Sequence, residues 1–141
     1  MKLSRRSIVQ NKSEWEKLGY TLPEYNIDEM IKKTSENPIW VHFGAGNIFR
    51  IFIGGIADTL IANGEASKGI TCVETFDFDV VDKIYAPYDN LVLAVTLKAD
   101  GSTDKRVLGS LTEAIKAQSN DASQWNRLKE IFVNPGLQMI S

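Results

Sequence analysis

Few residues in this chain could do chemistry by type alone. It has one histidine, His42, and one cysteine, Cys72, so a zinc site built from Cys and His ligands cannot be assembled. His42 lies inside an apolar run, with no nucleophile in a recognisable context, and nothing resembles a Ser-His-Asp arrangement. A lone strand histidine reads as packed rather than catalytic. Cys72, in a second apolar run, reads as an inert small hydrophobe with a raised thiol pKa. Gly-Lys-Ser/Thr does not occur, so a P-loop is excluded.

What remains is a pair of glycines. In Ile39-Trp40-Val41-His42-Phe43-Gly44-Ala45-Gly46-Asn47-Ile48-Phe49-Arg50 an apolar run ends in Gly-x-Gly, and a strongly apolar helical pattern follows at once. Strand, glycine turn and helix in that order open a dinucleotide-binding βαβ unit. The first glycine permits the tight turn and the second lets the backbone approach a pyrophosphate. Unpaired N–H groups at the helix start then face the phosphates. Phe49 stands where a third glycine usually sits.

Glu74 ends the next apolar run, somewhat beyond the roughly 20-residue offset at which an acid usually meets the adenosine ribose. An acid there hydrogen-bonds the ribose hydroxyls and favours NAD over NADP; the plainer reading is an acid solvating a strand end. Arg50, in the first helical turn, opposes the helix dipole unless an anion is near, so it reads either as a phosphate contact or as a solvated edge residue. Asn47 reads as a helix cap or a phosphate donor. The candidate cofactor-binding set is therefore Gly44, Ala45, Gly46, Asn47, Ile48, Phe49, Arg50 and Glu74, with no metal ligand.

These residues need elements to hold them. The patterns predict strands at Ile39–Phe43 and Ile70–Glu74, and between them a helix from about Asn47 to Ala62 that stops at Gly64. That helix is apolar on nearly every face and should be sandwiched. Gly54 and Gly55 inside it, each costing roughly 1 kcal/mol against Ala, imply a neighbouring backbone close by. A second helix is expected over Asp77–Tyr85. Leu91–Leu97 and Lys105–Leu111 then form a hairpin about an Asp100-Gly101 turn, inserted in or edging the sheet. Asp121 caps a last helix carrying Trp125, Leu128 and Phe132 on one face, and Leu137–Ile140 begins another strand. Before all this, residues 1–38 form a helical arm. Ser13 and Glu16 make a capping box there, and Asn26 with Glu29 repeats it ahead of Ile27, Met30 and Ile31. The fold class is α/β, a Rossmann-like, mostly parallel sheet with helices on both faces. Residues 39–141 form the dinucleotide-binding domain, and a strand at the last residues gives it a truncated look.

Composition narrows the classes further. With 43% hydrophobic and 24% charged residues the chain is an ordinary globular one, and a net charge of -2 offers no footprint for nucleic acid or an anionic membrane. The apolar stretch Ile48–Ala62 is too short to span a bilayer and carries Arg50 and Asp58. The single cysteine fits a reducing cytoplasm.

From His42 through Arg50, with Phe52-Ile53-Gly54 behind, the chain resembles the mannitol dehydrogenase superfamily. Its fingerprint is similar to His-Phe-Gly-Ala-Gly-Asn-Ile-Gly-Arg, as in mannitol-1-phosphate 5-dehydrogenases. Phe49 departs from that pattern and is closer to the mannitol 2-dehydrogenases and the fructuronate and tagaturonate reductases, as is the long N-terminal arm. Phe49 then reads as a family variation, with close helix packing moved to Gly54. The resemblance implies NAD as cofactor, a polyol or sugar-acid substrate, and metal-independent hydride transfer. It places the catalytic lysine, with Asn and His partners, in a C-terminal domain beyond this sequence, so no catalytic residue is assigned. Apolar surface left uncovered would favour self-association. The competing reading is a non-catalytic Rossmann module that senses a nucleotide or mediates assembly.

Overall fold

In a computed structural model that describes residues 2–141, the Ser4 hydroxyl accepts the Ser7 N–H and opens α1 (Arg5–Gln10), a helix absent from the sequence reading. α2 (Lys12–Lys17) follows from Asn11, so Ser13 lies within a helix and the capping box expected there does not form. The reason is that α1 runs almost into α2, leaving Asn11 as the only break. β1 (Tyr20–Thr21) comes next, and then Asn26 caps α3 (Ile27–Glu36) as expected, accepting the Glu29 N–H at 3.0 Å.

β2 (Trp40–Phe43) leads through the glycines into a helix wound as a π-helix over Ile48–Ile53 and continuing as α4 (Gly54–Ala62). β3 (Ile70–Glu74) is buried along its whole length. α5 (Phe78–Val80) is extended by a π-wound turn, Val81–Tyr85, and a 3-10 turn, Ala86–Tyr88. Asp89 and Asn90 stop it by adopting left-handed backbone, a conformation Asp and Asn tolerate better than most residues. The hairpin β4 (Val92–Leu97) and β5 (Thr103–Leu108) is antiparallel and turns where Gly101 has φ +82°. β6 (Leu111–Lys116), α6 (Ala122–Val133) and β7 (Met139–Ile140) complete the described chain.

Strands β6, β3, β2 and β7 lie in that spatial order and are all parallel. This is a doubly wound strand order, in which successive connections reverse direction between β2 and β7. Helices cover both faces. Phe49, Ala57 and Tyr85 pack with Ile70, Cys72 and Leu111 on one side; Leu128 and Ile131 of α6 pack on Val41, Val73 and Ile115 on the other.

Three details depart from the sequence reading. The hairpin ends at Leu108, and Leu111–Lys116 is a separate parallel strand beside β3. Gly109 makes the break: a Cβ there would lie 2.9 Å from Ile27 Cδ1, while its N–H donates to buried Asp58 at 2.9 Å. Second, the helix after the glycines is not sandwiched. Phe49, Ala57 and Ile61 face inward, but Ile48 is 77% and Phe52 65% exposed. A Cβ at Gly54 would meet backbone first, Phe49 O at 3.4 Å in the preceding turn of the same helix, and then the side chains of Leu111 and Ser110 at 3.6 Å, whereas Gly55 has room for a methyl group. Third, α6 docks through Leu128 and Ile131, three residues apart, leaving Phe132 exposed and Trp125 at the margin.

The N-terminal residues are tied to the hairpin. β1 pairs in parallel with β5, giving a second sheet in the order β1–β5–β4. Ile8, Trp15, Ile27 and Met30 share a core with Ile61, Leu91 and Val107. Asp58, only 3% exposed, joins these layers to α4. Its carboxylate accepts from the Tyr25 hydroxyl at 2.5 Å and the Gly109 N–H, and pairs with Arg106 at 3.2 Å. Burial, then the Asp58 charge, pushes the Tyr25 pKa far up, which keeps its hydroxyl a donor. No described helix is long and apolar enough to cross a membrane.

Candidate nucleotide-binding site

The turn after β2 depends on a glycine conformation. Gly44 has φ +113°, a value that side chains rarely adopt, and its N–H donates to Val73 O at 2.8 Å on the neighbouring strand. Ala45 is buried, its N–H donating to Glu74 Oε2 at 3.0 Å and its carbonyl accepting from Tyr85 Oη at 3.1 Å. At Gly46 no heavy atom lies within 4 Å of where a Cβ would stand, so the turn opens there onto free space. The first N–H groups of the following helix, which have no partner inside it, start beside that space.

Glu74 is the acid that organises the opening. Oε1 accepts from the N–H groups of Thr75 (2.8 Å), Phe76 (2.9 Å) and Asp77 (3.3 Å), while Oε2 takes Ala45. Burial raises its pKa, but the four peptide donors outweigh that and hold the carboxyl below its usual range. The ionised side chain locks the end of β3 to the glycine turn, with acceptor capacity left on Oε2.

Other candidates are placed less simply. Asn47 makes no capping bond and accepts instead from the Arg50 guanidinium. Arg50 stands over the Tyr85 ring at 5.8 Å, and its Nε is buried without a partner among the described residues. Ile48 is exposed beside the opening. Phe49 is buried, stacked on the His42 ring at 4.1 Å with planes 7° apart. Where a third glycine would let helix and strand touch, a flat aromatic pair fills the gap and the helix is wound wider. Cys72 is fully buried, its thiol pushed up to about 12 by burial, as expected of an inert cysteine.

Two contributors escaped the sequence reading. Tyr85 enters the sequence pattern only as the last residue of the expected Asp77–Tyr85 helix, yet its hydroxyl donates to Ala45 O and props the turn from 40 positions away. Ser141 extends the β7 ladder, accepting the Phe43 N–H at 2.8 Å, and its hydroxyl meets both Trp40 Nε1 (2.8 Å) and His42 Nδ1 (2.9 Å). No local signal marks a residue that gains its place only through a crossover. Among the described residues no cluster of His, Cys, Asp and Glu could hold a metal ion.

No family model matches the chain. Over all 141 residues it is 46% identical to D-mannonate oxidoreductase of Thermotoga maritima and covers 26% of that protein. The fold is similar to mannitol 2-dehydrogenase of Pseudomonas fluorescens, whose structure is a ternary complex with NAD and D-mannitol. That match has a TM-score of 0.76 at 22% identity and covers 99% of this chain and 26% of the other. A D-sorbitol dehydrogenase in substrate-free form matches with a TM-score of 0.69 at 22% identity, over 86% of this chain and 24% of that one. The chain thus spans about a quarter of the relatives it matches. The mostly parallel Rossmann-type fold and the resemblance to the mannitol dehydrogenase superfamily are both borne out.

Proposed function

We propose that residues 39–141 are the NAD-binding portion of a sugar-acid or polyol oxidoreductase of this superfamily, with the segment before them packed as a structural layer. The observation that supports it best is the hydrogen bond from Ala45 N–H to Glu74 Oε2. It puts a charged acid, a glycine turn and a helix start at the carboxyl ends of adjacent parallel strands, where doubly wound sheets take dinucleotides. The free space at Gly46 suits a pyrophosphate, and the remaining acceptor capacity of Glu74 suits a ribose diol. A 2′-phosphate would meet that carboxylate as a like charge, so NAD is preferred to NADP.

In this reading the cofactor, when bound, supplies hydride exchange between nicotinamide C4 and a secondary carbinol or ketone carbon. This chain's part is to bind and orient. Gly44 and Gly46 admit the pyrophosphate, Asn47 to Arg50 present the helix start, and Glu74 fixes the adenosine end. The match to a D-mannonate oxidoreductase favours a hexonate over a free polyol as the whole protein's substrate.

Isothermal titration with NADH and NADPH is the direct test. NADH should bind measurably and NADPH more weakly. Gly46→Ala should weaken NADH binding about tenfold or more while leaving the melting temperature unchanged, because its methyl enters space that only a ligand fills. Heat-silent titrations of wild type with both nucleotides would refute the reading.

A further inference from the structure

His42 is not explained by packing alone. Its ring lies flat on Phe49, on the α4 side of β2, and is half-buried rather than enclosed. Ser141 Oγ sits 2.9 Å from Nδ1 and accepts from Trp40 Nε1 at 2.8 Å. Indole N–H is a donor only, so one lone pair of the serine oxygen is committed. The serine proton then has one good acceptor nearby, His42 Nδ1. When Nδ1 takes that proton the ring proton sits on Nε2, whereas an Nδ1–H donating to the second serine lone pair would leave Nε2 bare; the first arrangement is taken below.

Nε2 points somewhere specific. It is the one heavy atom within 4 Å of the position a Cβ on Gly44 would occupy, at 3.9 Å. The donor therefore lies beside the glycine turn, at the edge between β2 and β7 where the strand order reverses and ligands enter a doubly wound sheet. Burial lowers the His42 pKa, consistent with a neutral ring near neutral pH. Ser141, itself bonded to Trp40, and Phe49 stacked on the ring thus hold the imidazole edge at the mouth of the site.

We propose that His42 is a ligand-contacting residue of the dinucleotide site, its Nε2–H donating to an oxygen of the pyrophosphate or adjoining ribose, with Ser141 and Trp40 as positioning residues. The inference rests on the dinucleotide reading above and adds a neutral donor to it. It also gives a reason for Phe49: its ring is the plate that keeps the imidazole plane in line with the turn.

The test uses the 141-residue chain with NADH as probe. Titration of His42→Ala should show about a tenfold weaker affinity, the scale of one hydrogen bond to a charged group. His42→Gln, which keeps an N–H donor of similar reach, should recover part of it. On the wild-type chain, nitrogen NMR of the imidazole should show the Nε2–H form, and NADH should move the Nε2 resonance more than Nδ1. Ser141→Ala should shift the ring toward a mixture of tautomers, which a residue serving only as packing would not reveal. NADH binding with an unmoved Nε2 resonance, or with unchanged affinity in His42→Ala, would overturn the proposal and leave the dinucleotide reading standing. No NADH binding by wild type would overturn both.

Discussion

Glu74 shows how one side chain can serve fold and ligand together. Its carboxylate replaces water with four peptide N–H donors, and these hold it ionised despite burial. A folded-state pKa below the unfolded one means the charged form contributes stability above about pH 4.5, and that contribution fades as pH falls through the folded value. Melting temperature followed from pH 6 down to about 3 should therefore drop more steeply for wild type than for Glu74→Gln, which has no proton to gain. At this scale the sequence is informative where chemistry is local: type and order alone single out Gly44, Gly46 and Glu74, and the structure brings the three to one turn. Phe49 was legible as an oddity, but its partner was not, since stacking on His42 depends on how β2 and the helix start face each other. Tyr85 and Ser141 reach the site through tertiary contacts that leave no trace in neighbouring residues.

Among the elements, the patterns found the strands flanking the site and the hairpin, and missed β6 as a separate strand. A continuous β-rich run gives no warning that it changes sheets; only Gly109, wedged against Ile27 and bonded to Asp58, marks the corner. Asp58 should matter accordingly. Asp58→Ala leaves the Gly109 N–H and the Tyr25 hydroxyl without their acceptor and is expected to cost about 3 kcal/mol in urea unfolding, beyond the range of a surface ion pair. Glycines in the same region separate cleanly. Gly55→Ala finds only Leu108 Cδ1, at 3.8 Å, and should stabilise α4 by up to about 1 kcal/mol. Gly69→Ala would place its methyl 2.2 Å from Ser110 O, where backbone must move, and should lower the melting temperature markedly. Side-by-side thermal melts decide both.

For the molecule as a whole, the outer side of the helix after the glycines is the feature out of keeping with a finished surface. Ile48, Ile51, Phe52 and Ile56 are exposed together, and Leu93, Val95 and Leu97 of the edge strand β4 are exposed as well. Patches of this kind drive association. Light scattering over a concentration series should show self-association of the 141-residue chain, reduced by Phe52→Glu with little change in melting temperature. The apolar pattern of this helix implies a sandwiched element and also marks it, with the strand at 137–140, as apolar area left uncovered; residue types report how much apolar surface there is, not what lies against it. The parallel pairing of β2 with β7 has a further consequence, in time rather than space. It closes a loop between residues 99 positions apart, as the His42–Ser141 contact records, whereas the hairpin rungs are local. Contacts so distant along the chain are slow to form, so the hairpin can assemble while the crevice beside the glycines is still open. During folding, the ability to hold a nucleotide would then arrive after most of the secondary structure.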